Sequence, residues 1–194
     1  MGEQAQVSRR TLVMWAIAAN TLVAAIAFAL YGWTAIGAHV AARSTARISV
    51  LVFLVAFAQP GLARWVDSLP SYVALVHAFV AAHCVHFVTV LITLVLDATH
   101  HLRRAPASVM AVLTVGFLLV LVSGITVGLR ERRSGRVMHG VAIYAVFAIF
   151  LVAFVTNRFM PLRVVVLFLL VALGLRIAGM FPGVKKIALV NVKA

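Results

Sequence analysis

Six long apolar runs, parted by short breaks that carry Arg, Asp, Asn or Pro, constrain this chain more than any other feature. They fall at about 11–31, 47–64, 71–96, 108–129, 137–156 and 162–181. Each is near the roughly 20 residues that a helix needs to cross ~30 Å of hydrocarbon. One soluble core could not hide that much apolar surface. Of the 194 residues, 64% are hydrophobic and only 11% charged, against about 25% charged in ordinary soluble domains. Lipid solvates the outward faces of such runs, provided every backbone polar group is satisfied within its own helix. The breaks hold Arg43 and Arg47, Asp67 and Pro70, Arg103, Arg104 and Pro106, "RERRSG" at 130–135, and Asn157, Arg158 and Pro161. No long linker, repeat or low-complexity tract divides the chain. The expected fold is all-α: one polytopic membrane domain over residues 1–194, a six-transmembrane-helix bundle.

A net charge of +13 and a pI near 11.8 would, in a soluble protein, raise nucleic acid as a partner. Here the cations sit mostly in the gaps between apolar runs, so anionic lipid head groups are the expected partner and nucleic acid is not. With the N-terminus inside, the cytoplasmic face collects Arg9, Arg10, Arg64, Arg130, Arg132, Arg133, Arg136, Lys185, Lys186 and Lys193. The other face collects Arg43, Arg47, Arg103, Arg104, Arg158 and Arg163. Ten against six favours cytoplasmic termini, as in a bacterial inner-membrane protein whose third and fifth helices run parallel. The opening "SRRTLVMW" is similar to a twin-arginine export signal, but the apolar stretch behind it is too long for one. A retained first span is expected.

Several chemistries lack their residues. No GxGxxG or P-loop is present, and about 13 residues follow the sixth run. The four acidic residues, Glu3, Asp67, Asp97 and Glu131, lie near span ends or in loops, whereas proton-coupled transporters usually hold a carboxylate at mid-membrane. Cys84 is the lone cysteine, so neither a disulfide nor a CxxC site can form within the chain, and it is expected to act as a small hydrophobe.

The third run, "YVALVHAFVAAHCVHF" at 72–87, contains His77, His83 and His86. Ionisable groups inside a span are costly and raise a functional hypothesis by default. Three residues apart, His83 and His86 share a helix face, while His77 lies about 180° round the helix from His86. A single span histidine is commonly a neutral imidazole bonded to a neighbour, the expected role of His77. The pair needs partners, and acidic ones are missing. Haem iron is such a partner, since neutral imidazole is a standard axial ligand. Two-histidine ligation needs a second imidazole at similar depth on a facing helix, and His139 in "SGRVMHGVAIY" is the candidate. His100 and His101 are expected at the membrane surface, and His39 at the edge of a loop. Arg176, in "LGLRIAG", is placed to pair a haem propionate, as are Arg64 and Arg136, whose simpler role is to snorkel to head groups. Asn20 and Gln59 are expected to bond across helices, and Pro60-Gly61 to kink or end the second span.

"ARSTARISVLVFLVAFAQPGLARW" (42–65), the 72–87 stretch and "GRVMHGVAIYAVFAIFLVAF" (135–154) together resemble the ferric reductase-like transmembrane domain. That superfamily includes the haem-binding subunit of the methionine sulfoxide reductase system and the membrane part of NADPH oxidases. The resemblance implies a b-type haem protein that takes electrons from a quinone or separate flavoprotein and passes them to an acceptor, as an oxidoreductase or its electron-carrying subunit. It places His86 at the third-helix ligand position, with His83 one turn before it as alternate ligand, and His139 at the fifth-helix position. Two-haem relatives carry a further histidine about 13 residues along each helix. His100 falls there on the third helix but Val152 on the fifth, so one haem is implied. The Trp and Arg that flank the family's fifth-helix histidine are absent, and Gly135 and Gly140 stand nearby. Two haem-free alternatives stand beside this reading: a small permease or scaffold with packed histidines, and metal transport along the histidine face.

Overall fold

In a computed structural model, which describes residues 8–97, 107–156 and 162–180, every regular element among the described residues is a helix. They are α1 (Arg9–Tyr31), α2 (Ala35–Leu62), α3 (Tyr72–Leu96), α4 (Ala107–Val127), α5 (Arg133–Thr156) and α6 (Leu162–Met180). Four stretches, Arg9–Tyr31, Ala35–Leu62, Tyr72–Leu96 and Arg133–Val155, are long and apolar enough to cross a membrane. Leu113–Val127 and Val164–Met180 are apolar but shorter. These features are consistent with an integral membrane protein. His100, His101, Arg103, Arg104, Arg158 and the lysines at 185, 186 and 193 lie outside the described residues.

Local chemistry sets several helix ends. Ser8, Thr34 and Ser71 stand just before α1, α2 and α3, and each side-chain oxygen accepts the amide N–H three residues on, at 3.1, 3.2 and 3.3 Å. A hydroxyl there satisfies one of the amides that a helix start leaves orphaned. Between α1 and α2 the chain turns through Gly32 at φ +70°, a conformation that L side chains rarely adopt. Hydropathy alone expects the second span to begin at about 47, whereas α2 begins twelve residues earlier. His39, Arg43 and Arg47 lower the hydropathy without breaking the helix, because Ala38, Ala41, Ala42 and Ala46 around them are strong helix formers. Arg43 and Arg47, one turn apart, both face outward. Pro60 lies inside α2, which closes two residues later at Leu62.

Packing closes five helices into a ring. α2 contacts α3 and α6, α3 contacts α4, α4 contacts α5, and α5 returns to α6; α1 lies outside, against α2 and α3. The centre is aromatic: Phe53 sits 5.4, 5.0 and 5.1 Å from the rings of Phe57, Phe79 and Phe150, and Phe57 stacks on Phe147 at 4.8 Å. Such pairs contribute roughly 0.5–1.5 kcal/mol each beyond their buried area. Small residues bring backbones together elsewhere. A Cβ on Gly61 would meet the Leu175 carbonyl oxygen at 1.9 Å, and one on Gly179 would meet Pro60 and Gly61 backbone at 2.9 Å. The α2–α6 contact therefore depends on both glycines, as in close-packed membrane helices. Gly135 likewise lets the start of α5 press on Leu129, whose carbonyl a Cβ would meet at 2.0 Å. His139 at the start of α5 touches Tyr72 at the start of α3, so these two helices run in the same direction.

Candidate functional site

The expected histidines separate into two groups at opposite levels of the bundle. His83 and His86 sit together on α3, ring centroids 5.2 Å apart. His139 lies beside Tyr72, the first residue of α3. From Tyr72 to His86 is fourteen residues, about 21 Å along a helix at ~1.5 Å per residue. Phe150, eleven residues beyond His139 on α5, is the α5 side chain that reaches His83, with centroids 5.9 Å apart. Two parallel helices with that offset cannot bring His86 and His139 to one iron. The pairing expected from the motifs is corrected on this ground.

Both α3 imidazoles are held from α2. His83 Nδ1 lies 2.9 Å from Ser49 Oγ, and His86 Nδ1 lies 3.1 Å from Thr45 Oγ1. The two hydroxyls are four residues apart on one helix and the two histidines three apart on the other, so the pairs meet turn for turn. Both hydroxyl residues are fully buried. Thr45 has a single proton, and the Ala41 carbonyl, which can only accept, is its nearest neighbour at 2.8 Å. With that proton committed, His86 Nδ1–H donates to Thr45. The lone pair of His86 then resides on Nε2, the state of a histidine ready to bind a metal.

Beside these rings lies a cavity of about 250 Å³ between α2, α3, α4 and α5. Its walls are aromatic and aliphatic, with Phe87, Phe117, Phe150 and Val50 among them, and His83 and His86 supply the imidazoles. Phe87 and Phe117 stack at 4.0 Å, joining α3 to α4 along one wall. An apolar pocket with one or two directed polar groups is the usual form of a cofactor or small-molecule site.

His139 is otherwise disposed. Its Nδ1 lies 3.1 Å from the Ser123 carbonyl and must donate to it. Nε2 is therefore bare and accepts the Tyr72 hydroxyl at 2.7 Å. Tyr72 Oη in turn accepts from Arg176 Nη2 at 3.4 Å, while Arg176 Nη1 donates to the Phe57 carbonyl at 2.9 Å. The result is a directed chain, Arg176 to Tyr72 to His139 to Ser123, in which both nitrogens of His139 are used. Arg176 thus belongs to the His139 group and is not among the residues that line the His83–His86 cavity.

The other expected residues find local partners. His77 Nδ1 bonds the Val73 carbonyl of its own helix at 2.8 Å. His39, inside α2 rather than at a loop, meets Asp97 at 3.0 Å and ties the start of α2 to the end of α3. Asn20 Nδ2 bonds Ala16 on its own helix, and Gln59 Nε2 bonds the Pro70 carbonyl; neither bridges two helices by these bonds. Arg64 Nη2 donates to the Gly179 carbonyl at 2.8 Å, and Arg136 is exposed. Cys84 is half-buried. Among the described residues no three His, Cys, Asp or Glu side chains gather as ligands for a metal ion. Thr45 and Ser49 are hard to find in the sequence because a Ser or Thr hydroxyl in a helix ordinarily bonds its own backbone, and Tyr72 because a tyrosine at a span end reads as an interfacial aromatic. No known family model, curated protein or solved structure matches the chain.

Proposed function

We propose that the chain is a six-pass integral membrane protein that binds one b-type haem beside His83 and His86. It would then carry electrons from a quinone or a separate flavoprotein to an acceptor. The observation that carries this reading is the His86 ring on the wall of an aromatic cavity, its Nδ1 3.1 Å from Thr45 Oγ1: with Nδ1–H given to Thr45, the Nε2 lone pair is left for a metal. The donor set fits an iron ligated from α3 alone, and it does not fit a second ligand from His139. When bound, haem would supply one-electron chemistry at its iron. The chain's own contribution is separate: Thr45 and Ser49 orient the imidazoles, and Phe87, Phe117 and Phe150 keep water from the site.

A membrane setting is supported by the outward faces. Trp15, Leu22, Leu30, Val95 and Ile125 are all more than half exposed. Trp33 and Trp65 are exposed just before and just after α2, where interfacial aromatics gather. The 28 residues of α2 span about 42 Å, close to the ~40–45 Å of a bilayer with its head groups. The end bearing Arg64, Arg130, Arg132, Arg133 and Arg136 would face the cytoplasm of a bacterial inner membrane, with both termini on that side.

Oxidised and dithionite-reduced spectra of the detergent-purified protein test the proposal. A Soret band that shifts on reduction is expected. His86→Ala should abolish it, and His139→Leu should retain it. A colourless protein from cells supplied with haem precursor refutes the proposal. It would favour a haem-free bundle with packed histidines, a second reading supported by the complete hydrogen bonding of His139.

A further inference from the structure

Where α2 and α6 end, the guanidinium groups of Arg130 and Arg176 lie against one tyrosine ring, and a third, that of Arg64, reaches the end of α6. Arg176 is only 6% exposed, and its partners are the Phe57 carbonyl and Tyr72 Oη, neither of them anionic. Its Nε is buried and bonds to no protein group, and the same holds for Nη1 of Arg64. The Arg176 guanidinium carbon lies 5.5 Å from the Tyr72 ring centroid, and that of Arg130 lies 4.5 Å from the same centroid. Arg64 reaches the Gly179 carbonyl, one turn beyond Arg176 on α6. Of the described acidic residues, Asp97 pairs with His39 at the far end of α3, Asp67 is exposed in the α2–α3 connection, and Glu131 is exposed in the α4–α5 connection. Among the described residues, no carboxylate lies within ion-pair distance of Arg176.

A guanidinium cannot shed its charge, so it cannot relieve burial by becoming neutral. Three ring faces, Phe57 at 4.6 Å, Tyr144 at 5.2 Å and Tyr72, soften its desolvation. They leave the single Nε–H without an acceptor, and an oxyanion is the strongest acceptor a guanidinium N–H can take. Arg130 and Arg176 lie against the same ring, and an anion shared between them would relieve their mutual repulsion.

We propose that this cluster is a binding site for a phosphate group, held by Arg176 and Arg130 with Arg64 at its flank. The group belongs either to the head of an anionic phospholipid or to free phosphate. Since the cluster lies at a bundle end, where cationic loops meet the head-group layer, both sources can reach it. The site is independent of the His83–His86 cavity.

Thermal unfolding of the delipidated full-length protein in detergent separates the sources. One arm adds phosphatidylglycerol, with phosphatidylcholine as reference. The other adds inorganic phosphate, with chloride at equal ionic strength as reference. A ligand that binds only the folded state raises the midpoint with concentration. Stabilisation in the lipid arm alone assigns the lipid head group, and stabilisation by inorganic phosphate assigns the free anion; either supports the site. Arg130→Gln, which leaves the Arg176–Phe57 bond in place, should raise the half-saturating concentration about tenfold. Arg176→Gln should abolish the response; should it not fold, Arg64→Gln provides the second variant, with a weaker response expected. No stabilisation over the reference in both arms overturns the proposal, as does an unchanged response in Arg130→Gln and Arg64→Gln.

Discussion

Replacing Tyr72 by Phe tests the directed chain at the start of α3 and α5. The substitution keeps the ring that lies against Arg130, Arg176 and His139, and removes only the hydroxyl. Two bonds are lost. The Arg176 bond, at 3.4 Å, is long and weak, so it contributes little. The His139 bond, at 2.7 Å, is short, and its loss strands Nε2 of a ring that is 2% exposed. Leaving a buried acceptor unmatched costs about 1–3 kcal/mol. His139 cannot escape by moving its proton to Nε2, because Nδ1–H is already committed to the Ser123 carbonyl. The expected loss is therefore about 1–3 kcal/mol, read from reversible unfolding in mixed micelles. A cycle with His139→Leu isolates the bond. Once the imidazole is gone, Tyr72→Phe should cost at least about 1 kcal/mol less than in the native background. If the two substitutions add, or if Tyr72→Phe alone costs under ~0.5 kcal/mol, the Tyr72–His139 bond does not hold these helix starts together as argued.

Further outcomes follow from the same geometry. On the proposed haem reading, Thr45→Val removes the acceptor beside His86, so the Soret absorbance per mole of protein should fall severalfold, while Thr45→Ser should preserve it; equal spectra in both would separate Thr45 from any ligand role of His86. Gly61→Ala, which drives a methyl into the Leu175 carbonyl, should destabilise the protein by about 1–3 kcal/mol or more and lower its unfolding midpoint. Gly135→Ala should behave similarly against Leu129, whereas Gly140→Ala and Gly174→Ala, with nothing within 4 Å of the new methyl, should leave that midpoint unchanged or raise it. Severing the partly exposed His39–Asp97 contact by His39→Ala should cost about 1 kcal/mol or less, and the cost should shrink as salt is added.

Much of the helix pattern was written in the apolar runs. α3 opens one residue from its expected position because Pro70 and Ser71 mark the start in their own chemistry: a ring that resists helix before it, then a capping hydroxyl. The start of α2 was hidden because hydropathy reports where side chains prefer lipid, and the backbone keeps coiling through Arg43 and Arg47 all the same. The histidine pair was legible for a different reason. His83 and His86 share one helix, so their spacing alone places them on one face.

Partners on other helices obey a different logic. Spacing along one helix says nothing of which residue on a neighbour lies at the same height, so Thr45 and Ser49 could not be matched to the two imidazoles. The separation of His139, however, can be counted. Two parallel helices that start at the same face keep step, residue for residue. The expected span starts, 71 and 137, put His86 fifteen residues deep and His139 only two deep. The offset of thirteen is about 20 Å at ~1.5 Å per residue. It agrees with the fourteen residues that part His86 from Tyr72, the actual neighbour of His139. A motif likeness sets which residue types recur along each helix, but ligation needs equal depth. For two ligands proposed on parallel spans, counting from the membrane face therefore outranks the likeness. By that count His86 and His139 lie at separate levels of the bundle: one lines an aromatic cavity, and the other closes a hydrogen-bond chain beside Arg176.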